Sequence, residues 1–401
     1  MSTRPVAYLD HAATTPMLAE VVDVLTEQLR QPGNPSSLHG SGRAARRVVE
    51  ESRESIARDL HARPSDVVFT SGGTESDNLG VRGIFEARRA ADPRRTRILA
   101  PAIEHHAVLD TAQWLAAHGD AKVEAVAVDA AGRLDIDDLR RRLETDPDDI
   151  ALVTCMWANN EVGAVQPIAE IVAAAHAHDV PVHSDAVQAI GHVPVDFDAV
   201  GLDAMTITAH KIGGPVGVGA LLVRREVEVA PQLHGGGQER QIRSGTLATA
   251  AIVAFATAVR LAVRRQPEQA TRLEALRADL VRRATDAIAG VIVNGDPEPG
   301  ADHRLPNIAH LGFPGCEGDS LLMLLDAQGV ECSTGSACTA GVPQPSHVLL
   351  AMGRDEVIAR GSLRFSLGHT STQADVDAVI DVLPAAYERA RAAGVTGAER
   401  T

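Results

Sequence analysis

Of the 38 basic residues in the chain only two are lysines, Lys122 and Lys211; the other 36 are arginines. Most surface roles accept either cation. A nucleophilic amine is different, because a guanidinium stays protonated and does not readily form a Schiff base. Lys122 follows Gly119-Asp120 and reads as a solvated strand edge. Lys211 follows the apolar run ending at Thr208-Ala209-His210 and precedes Gly213-Gly214-Pro215. It stands where a strand gives way to a turn, although a rare residue surviving by chance in a turn would look the same. Asp185 ends the run Val182-His183-Ser184, where a lone carboxylate is poorly solvated and needs a partner. A strand-end turn aspartate is the plainer reading. Gly72-Gly73-Thr74 turns a strand into a helix whose first amides suit a phosphate, or it is an ordinary helix cap. Cys338 lies in a run of small residues and is either an exposed reactive thiol or a quiet loop thiol. Cys155, in the apolar run 151–156, fits an inert small hydrophobe. Cys316 and Cys332 stay undecided.

Taken together, a phosphate cradle, a strand-end carboxylate and a strand-end lysine are what pyridoxal phosphate requires. The lysine binds the aldehyde, the carboxylate keeps the pyridine nitrogen protonated, and hydroxyls, imidazole and amides hold the phosphate. The ring also needs a partner on its face. Phe, Trp and Tyr total only ten, so an imidazole is the available choice, and His105 in Glu104-His105-His106 follows a strand. The competing reading of His105 is a surface histidine at a helix start.

These residues need elements to position them. Runs at 67–70, 98–100, 123–128, 151–156, 180–184, 204–208 and 219–223 read as buried strands. Segments 43–60, 136–143 and 169–178 read as helices between them. Alternation of this kind predicts an α/β fold with a mostly parallel seven-stranded sheet, helices on both faces, and ligand loops along one edge. From about Leu247 the pattern changes. Helices at 247–264, 267–289, 317–328 and 373–392, and strands near 291–294, 307–311 and 362–366, predict a smaller α+β unit.

Acidic residues number 53, giving a net charge of −15. That disfavours a nucleic-acid backbone or an anionic membrane as partner. The N-terminus lacks an apolar signal stretch, and the run 250–263 is broken by Arg260 and too short to span a bilayer. Four cysteines without a Cys-x-x-Cys pair suggest neither a disulfide framework nor a structural zinc site, and a cytoplasmic protein is expected.

The chain resembles the NifS/IscS-type cysteine desulfurases of the class V aminotransferase family. The resemblance runs end to end, from Tyr8-Leu9-Asp10-His11-Ala12-Ala13 to Ser362-Leu363-Arg364-Phe365-Ser366. It passes through Gly33-Asn34-Pro35, Thr74-Glu75-Ser76-Asp77-Asn78, Asn159-Asn160-Glu161-Val162-Gly163, His234-Gly235-Gly236-Gly237-Gln238-Glu239 and Arg243-Ser244-Gly245-Thr246. It implies a homodimeric fold-type I pyridoxal 5'-phosphate enzyme, with a large domain at 16–258 and a small domain formed by 1–15 and 259–401. By that resemblance Lys211 holds the cofactor, Asp185 pairs with the ring nitrogen, Gln188 bonds the ring hydroxyl and His105 stacks on the ring. Gly73, Thr74, Thr208 and His210 bind the phosphate, with Thr246 arriving from the other subunit. Asn160 and Arg364, with Asn34, hold the substrate carboxylate. Cys338 takes sulfur from L-cysteine as a persulfide, leaving L-alanine. The segment from Thr339 to His347 resembles the longer loop of the IscS-like branch. The implied sulfur acceptors are an iron–sulfur scaffold protein or a tRNA thiolation enzyme. A selenocysteine lyase, another aminotransferase of the class, and a scaffold that has lost catalysis are the alternatives.

Overall fold

The structure is a computed structural model and describes residues 6–298, 300, 302–335 and 344–398. Cys338 lies outside the described residues. The chain opens with a short strand, β1 (Ala7–Tyr8). Seven strands then form the central sheet: β2 (Val67–Thr70), β3 (Arg97–Pro101), β4 (Lys122–Val126), β5 (Ile150–Thr154), β6 (Val182–Asp185), β7 (Ala204–Thr208) and β8 (Gly219–Val223). Their order is β2-β8-β7-β6-β5-β3-β4. The neighbours from β7 through β6, β5 and β3 to β4 are parallel, while β8 runs antiparallel to both β2 and β7. Each strand expected from the sequence is present. Apart from β4, the strands are buried along their whole length, which is why they read as continuous apolar runs rather than alternating ones.

Beyond the sheet come β9 (Ile292–Asn294), β10 (Ile308–Gly312), β11 (Val330–Glu331) and β12 (Ser362–Ser366). Strands β9, β10 and β12 make an antiparallel three-stranded sheet in the order β12-β10-β9. β1 pairs in parallel with β11, and Asp10 bridges to Ser366. Residues at the very start of the chain are thereby packed into the second hydrophobic core, where Ala7 and Leu9 meet Leu311, Phe365 and Val330.

The two helices expected at 247–264 and 267–289 are one helix, Thr249–Ala287, of 39 residues with Pro267 inside it. Proline removes one backbone donor and disfavours helix at that turn. Here the flanking halves are each anchored: Ile252, Phe255 and Val259 in the core of the large sheet, Leu273, Leu280 and Ala284 in the smaller core. Packing on both sides outweighs the local break. Cys332 and Cys316 belong to the smaller core. Burial pushes the Cys316 thiol up to about 11 and the Cys332 thiol further still, so both are packing thiols. Among the described residues no helix is long and apolar enough to cross a membrane.

Candidate active site

A cavity of about 400 Å³ opens where the strands of the large sheet end and the smaller sheet closes over them. Its floor is built from strand exits. After β2 the chain turns at Gly72, whose φ of +150° no L side chain readily adopts, and enters the helix Gly73–Ala91 with no side-chain cap. Gly73 and Thr74 face the cavity, so the helix start is open to an anion. Glu75 holds that turn: it accepts from the Ser71 amide at 2.7 Å and from Arg243 Nε at 2.8 Å.

The exit of β3 carries His105, which caps the helix His106–His118. Its Nδ1 accepts the Ala107 amide at 3.1 Å, which leaves the proton of the neutral ring on Nε2. Burial lowers its pKa and so favours that neutral ring. The exit of β5 brings Met156, Ala158 and Asn160 to the cavity. Asn159 fixes that loop, accepting the amides of Glu161 and Val162 at 2.9 Å each and donating to the Ile103 carbonyl at 3.0 Å. The exit of β6 supplies Asp185, 6 % exposed, whose Oδ1 accepts only the Val187 amide at 2.8 Å. Burial raises its pKa. The Gln188 amide donates to the Ala12 carbonyl at 2.9 Å.

The exit of β7 brings Thr208, His210 and Lys211. Lys211 Nζ donates to the carbonyls of Ala12 and Ala13 at 2.6 and 2.7 Å. Burial lowers its pKa to about 8, and Arg364 pushes in the same direction. An amine that loses its proton near neutrality is a usable nucleophile. Lys122, at the start of β4, is exposed and far from these groups in the sheet order.

The wall comes from the smaller sheet. Arg364 on β12 donates through Nη2 to Asp10 at 2.8 Å and through Nη1 to the Asn160 carbonyl at 2.9 Å. Its Nε is buried without a partner. Ser333 exchanges two backbone hydrogen bonds with Arg364, at 2.7 and 3.1 Å, and Ser333 and Gly335 complete the lining.

Ten of the residues singled out in the sequence therefore share one cavity: Gly73, Thr74, His105, Asn160, Asp185, Gln188, Thr208, His210, Lys211 and Arg364. Asn34 does not join them. It is exposed, and its Oδ1 accepts the Ser36 amide at 2.9 Å within its own turn. Thr246 is exposed and outside the cavity of its own chain. Asp77, Ser333 and Gly335 are cavity residues given no role from sequence. Asp77 is one helical turn after Thr74, and that period was the available signal.

The residues fit pyridoxal phosphate. An uncapped helix start faces a buried carboxylate that lacks a cation and a lysine of lowered pKa, all in one cavity. That donor set matches an anionic phosphate at one end, a protonated pyridine nitrogen at the other, and an aldehyde between them.

Known proteins agree. The family described as aminotransferase class-V matches residues 7–379. An IscS-like cysteine desulfurase of Mycobacterium tuberculosis is 56 % identical over 392 residues, 98 % of this chain and 99 % of that protein. The cysteine desulfurase IscS of Dictyoglomus turgidum is 40 % identical, covering 96 % of this chain and 95 % of its own length. A solved NifS-like protein superposes with a TM-score of 0.87 at 35 % identity, covering 96 % of this chain and all of that one. The chain belongs to the class V aminotransferases, among their IscS- and NifS-like cysteine desulfurases, and its cofactor is pyridoxal 5'-phosphate.

Proposed function

We propose that the chain converts L-cysteine to L-alanine and takes the sulfur onto Cys338 as a persulfide. The observation that carries this reading is the meeting of Lys211, Asp185, His105 and Arg364 in one cavity. When bound, the cofactor supplies an electron sink beside the substrate Cα. Lys211 anchors the cofactor and, as a free amine, takes the Cα proton. Asp185 would hold the ring nitrogen, Gln188 would bond the ring hydroxyl, and His105 would stack on the ring and assist proton transfer. Gly73, Thr74, Thr208 and His210 hold the phosphate.

Arg364 is already braced by Asp10 and Asn160, and it lines the cavity, where its guanidinium would hold the substrate carboxylate. Asn160 lines the same cavity and would assist there, whereas Asn34 lies outside it. The Cys338 thiolate then attacks the substrate sulfur. The carbon–sulfur bond of cysteine breaks, a sulfur–sulfur bond forms on Cys338, and alanine leaves. A homodimer fits the exposed Thr246, which would serve the cavity of a second copy. We assign residues 16–258 to the cofactor domain and 1–15 with 259–401 to the small one. A cytoplasmic location fits, with the persulfide passing to an iron–sulfur scaffold or to tRNA thiolation.

The test is product analysis. With L-cysteine, cofactor and a thiol reductant the protein should form alanine and sulfide in equal amounts, and Cys338→Ser should release no sulfide. Absence of alanine from the unaltered protein would end the assignment. Full activity of Cys338→Ser would remove Cys338 as the acceptor.

A further inference from the structure

Behind Asp185 lies a second carboxyl group for which the reaction above has no task. Asp77 is 1 % exposed, and its Oδ1 is buried without a hydrogen-bond partner. One ligand atom each of Asp77, Asp185 and His105 lie within 4.8 Å of one another. That same oxygen lies 3.8 Å from His183 Nε2, and the Thr206 hydroxyl is close to the carboxyl group as well. His183 is fully buried and held between two hydroxyls, Thr206 Oγ1 and Thr154 Oγ1, each at 3.0 Å. Burial lowers its pKa to about 3, so it brings no positive charge. Among the described residues no lysine or arginine forms an ion pair with either carboxyl.

Two carboxylates this close in a dry site cannot both ionise without strong repulsion. One proton shared between them removes the repulsion and converts it to a hydrogen bond. We propose that Asp77 is a positioning residue that carries this proton and donates it in a hydrogen bond to Asp185, so that Asp185 meets the ring nitrogen as a carboxylate in a pocket holding one negative charge. Burial pushes the Asp77 carboxyl well above its usual range, and the charge on Asp185 pushes it further. The other titratable groups around the pair are Glu104, raised to about 8 by burial, His105, lowered by burial, and Lys211, lowered to about 8. The hydroxyl–imidazole–hydroxyl chain through Thr206, His183 and Thr154 fixes Asp77 from behind.

The inference rests on the assignment of Asp185 to the ring nitrogen. Its test uses the apoenzyme and three variants, Asp77→Asn, Asp77→Ala and Asp185→Asn, each titrated with pyridoxal phosphate. The readouts are the dissociation constant and the pH profile of the bound cofactor's absorbance. Asp77→Asn keeps an N–H donor toward Asp185 and should bind like the unaltered protein with the same profile. Asp77→Ala removes the donor and should bind about ten- to a hundredfold more weakly, the range for a hydrogen bond to a charged group. Unaltered binding by Asp77→Ala would overturn the proposal, and so would Asp77→Asn binding as weakly as Asp77→Ala, since charge rather than the proton would then matter. Circular dichroism melts report folding separately. If Asp77→Ala does not fold, the Asp77→Asn profile decides: unchanged supports the proposal, shifted overturns it. Asp185→Asn with normal affinity and spectrum would instead sink the Asp185 assignment, and the inference with it.

Discussion

The floor and the wall of the cavity are made differently. The floor residues stand at the ends of buried parallel strands, so the sheet that fixes one fixes the rest. Asp185 and Thr206 are register partners in β6 and β7, with Thr208 and Lys211 a few residues on. The wall hangs on one side chain. Arg364 reaches from β12 to Asp10 and the Asn160 carbonyl, and through these two contacts joins three segments far apart in sequence. A floor built this way should fail by losing the cofactor, whereas the wall should fail by losing the substrate.

Five measurements would break or sharpen that contrast. Lys211→Ala should have the largest effect, abolishing the cofactor's absorbance band and all turnover; persistence of the band would show that the lysine does not bind the aldehyde. Arg364→Ala should keep the band and raise KM for L-cysteine about ten- to a hundredfold, the value of a lost charge-assisted hydrogen bond. Asp10→Asn should raise it less. Loss of the band in Arg364→Ala would erase the distinction between floor and wall.

A smaller effect concerns pH. Lys211 has its pKa lowered to about 8, so capture of cofactor by the apoenzyme should quicken as pH rises through 8 and the amine loses its proton. A flat rate there would contradict the lowered pKa. The smallest effect concerns Glu104, fully buried, with Oε1 accepting the Met156 amide at 2.5 Å and Oε2 unpartnered. Burial raises its pKa to about 8 in the folded protein, against about 4.3 in an unfolded chain. Between these values the folded state binds more protons than the unfolded, so stability falls as pH rises. Glu104→Gln should escape this loss. Its melting temperature relative to the unaltered protein should climb from about pH 5 to 8 and level off above. A difference independent of pH would show that Glu104 does not titrate there.

The floor was legible because its chemistry is written locally. Strand ends, glycine turns and the scarcity of lysine each leave a mark within a few residues, and Lys211, Asp185, Thr74 and His105 all carry one. The sheet was legible for the same reason, since buried strands are short apolar runs. What stayed hidden depends on contacts between distant segments. The pairing of β1 with β11 involves two residues on each strand, too few for a periodic signal. Pro267 marked a helix end that packing on two cores overrides. Asp77 drew no role from the sequence because its burial comes from contacts with β6 and β7, a hundred residues later.

The pairing of β1 with β11 also bears on how the chain assembles as it is synthesised. Domains tend to fold from the N-terminus as the chain emerges, and β2 to β8 are all in place by residue 223. Segment 7–13 leaves the ribosome before that sheet is made, yet its partners at 330–331 and 366 leave only after the last of the sheet's strands. Ala12 and Ala13, whose carbonyls hold the Lys211 amine, lie on that waiting segment. The strands of the sheet can thus be complete before the partners that seat segment 7–13 over its lysine have been made.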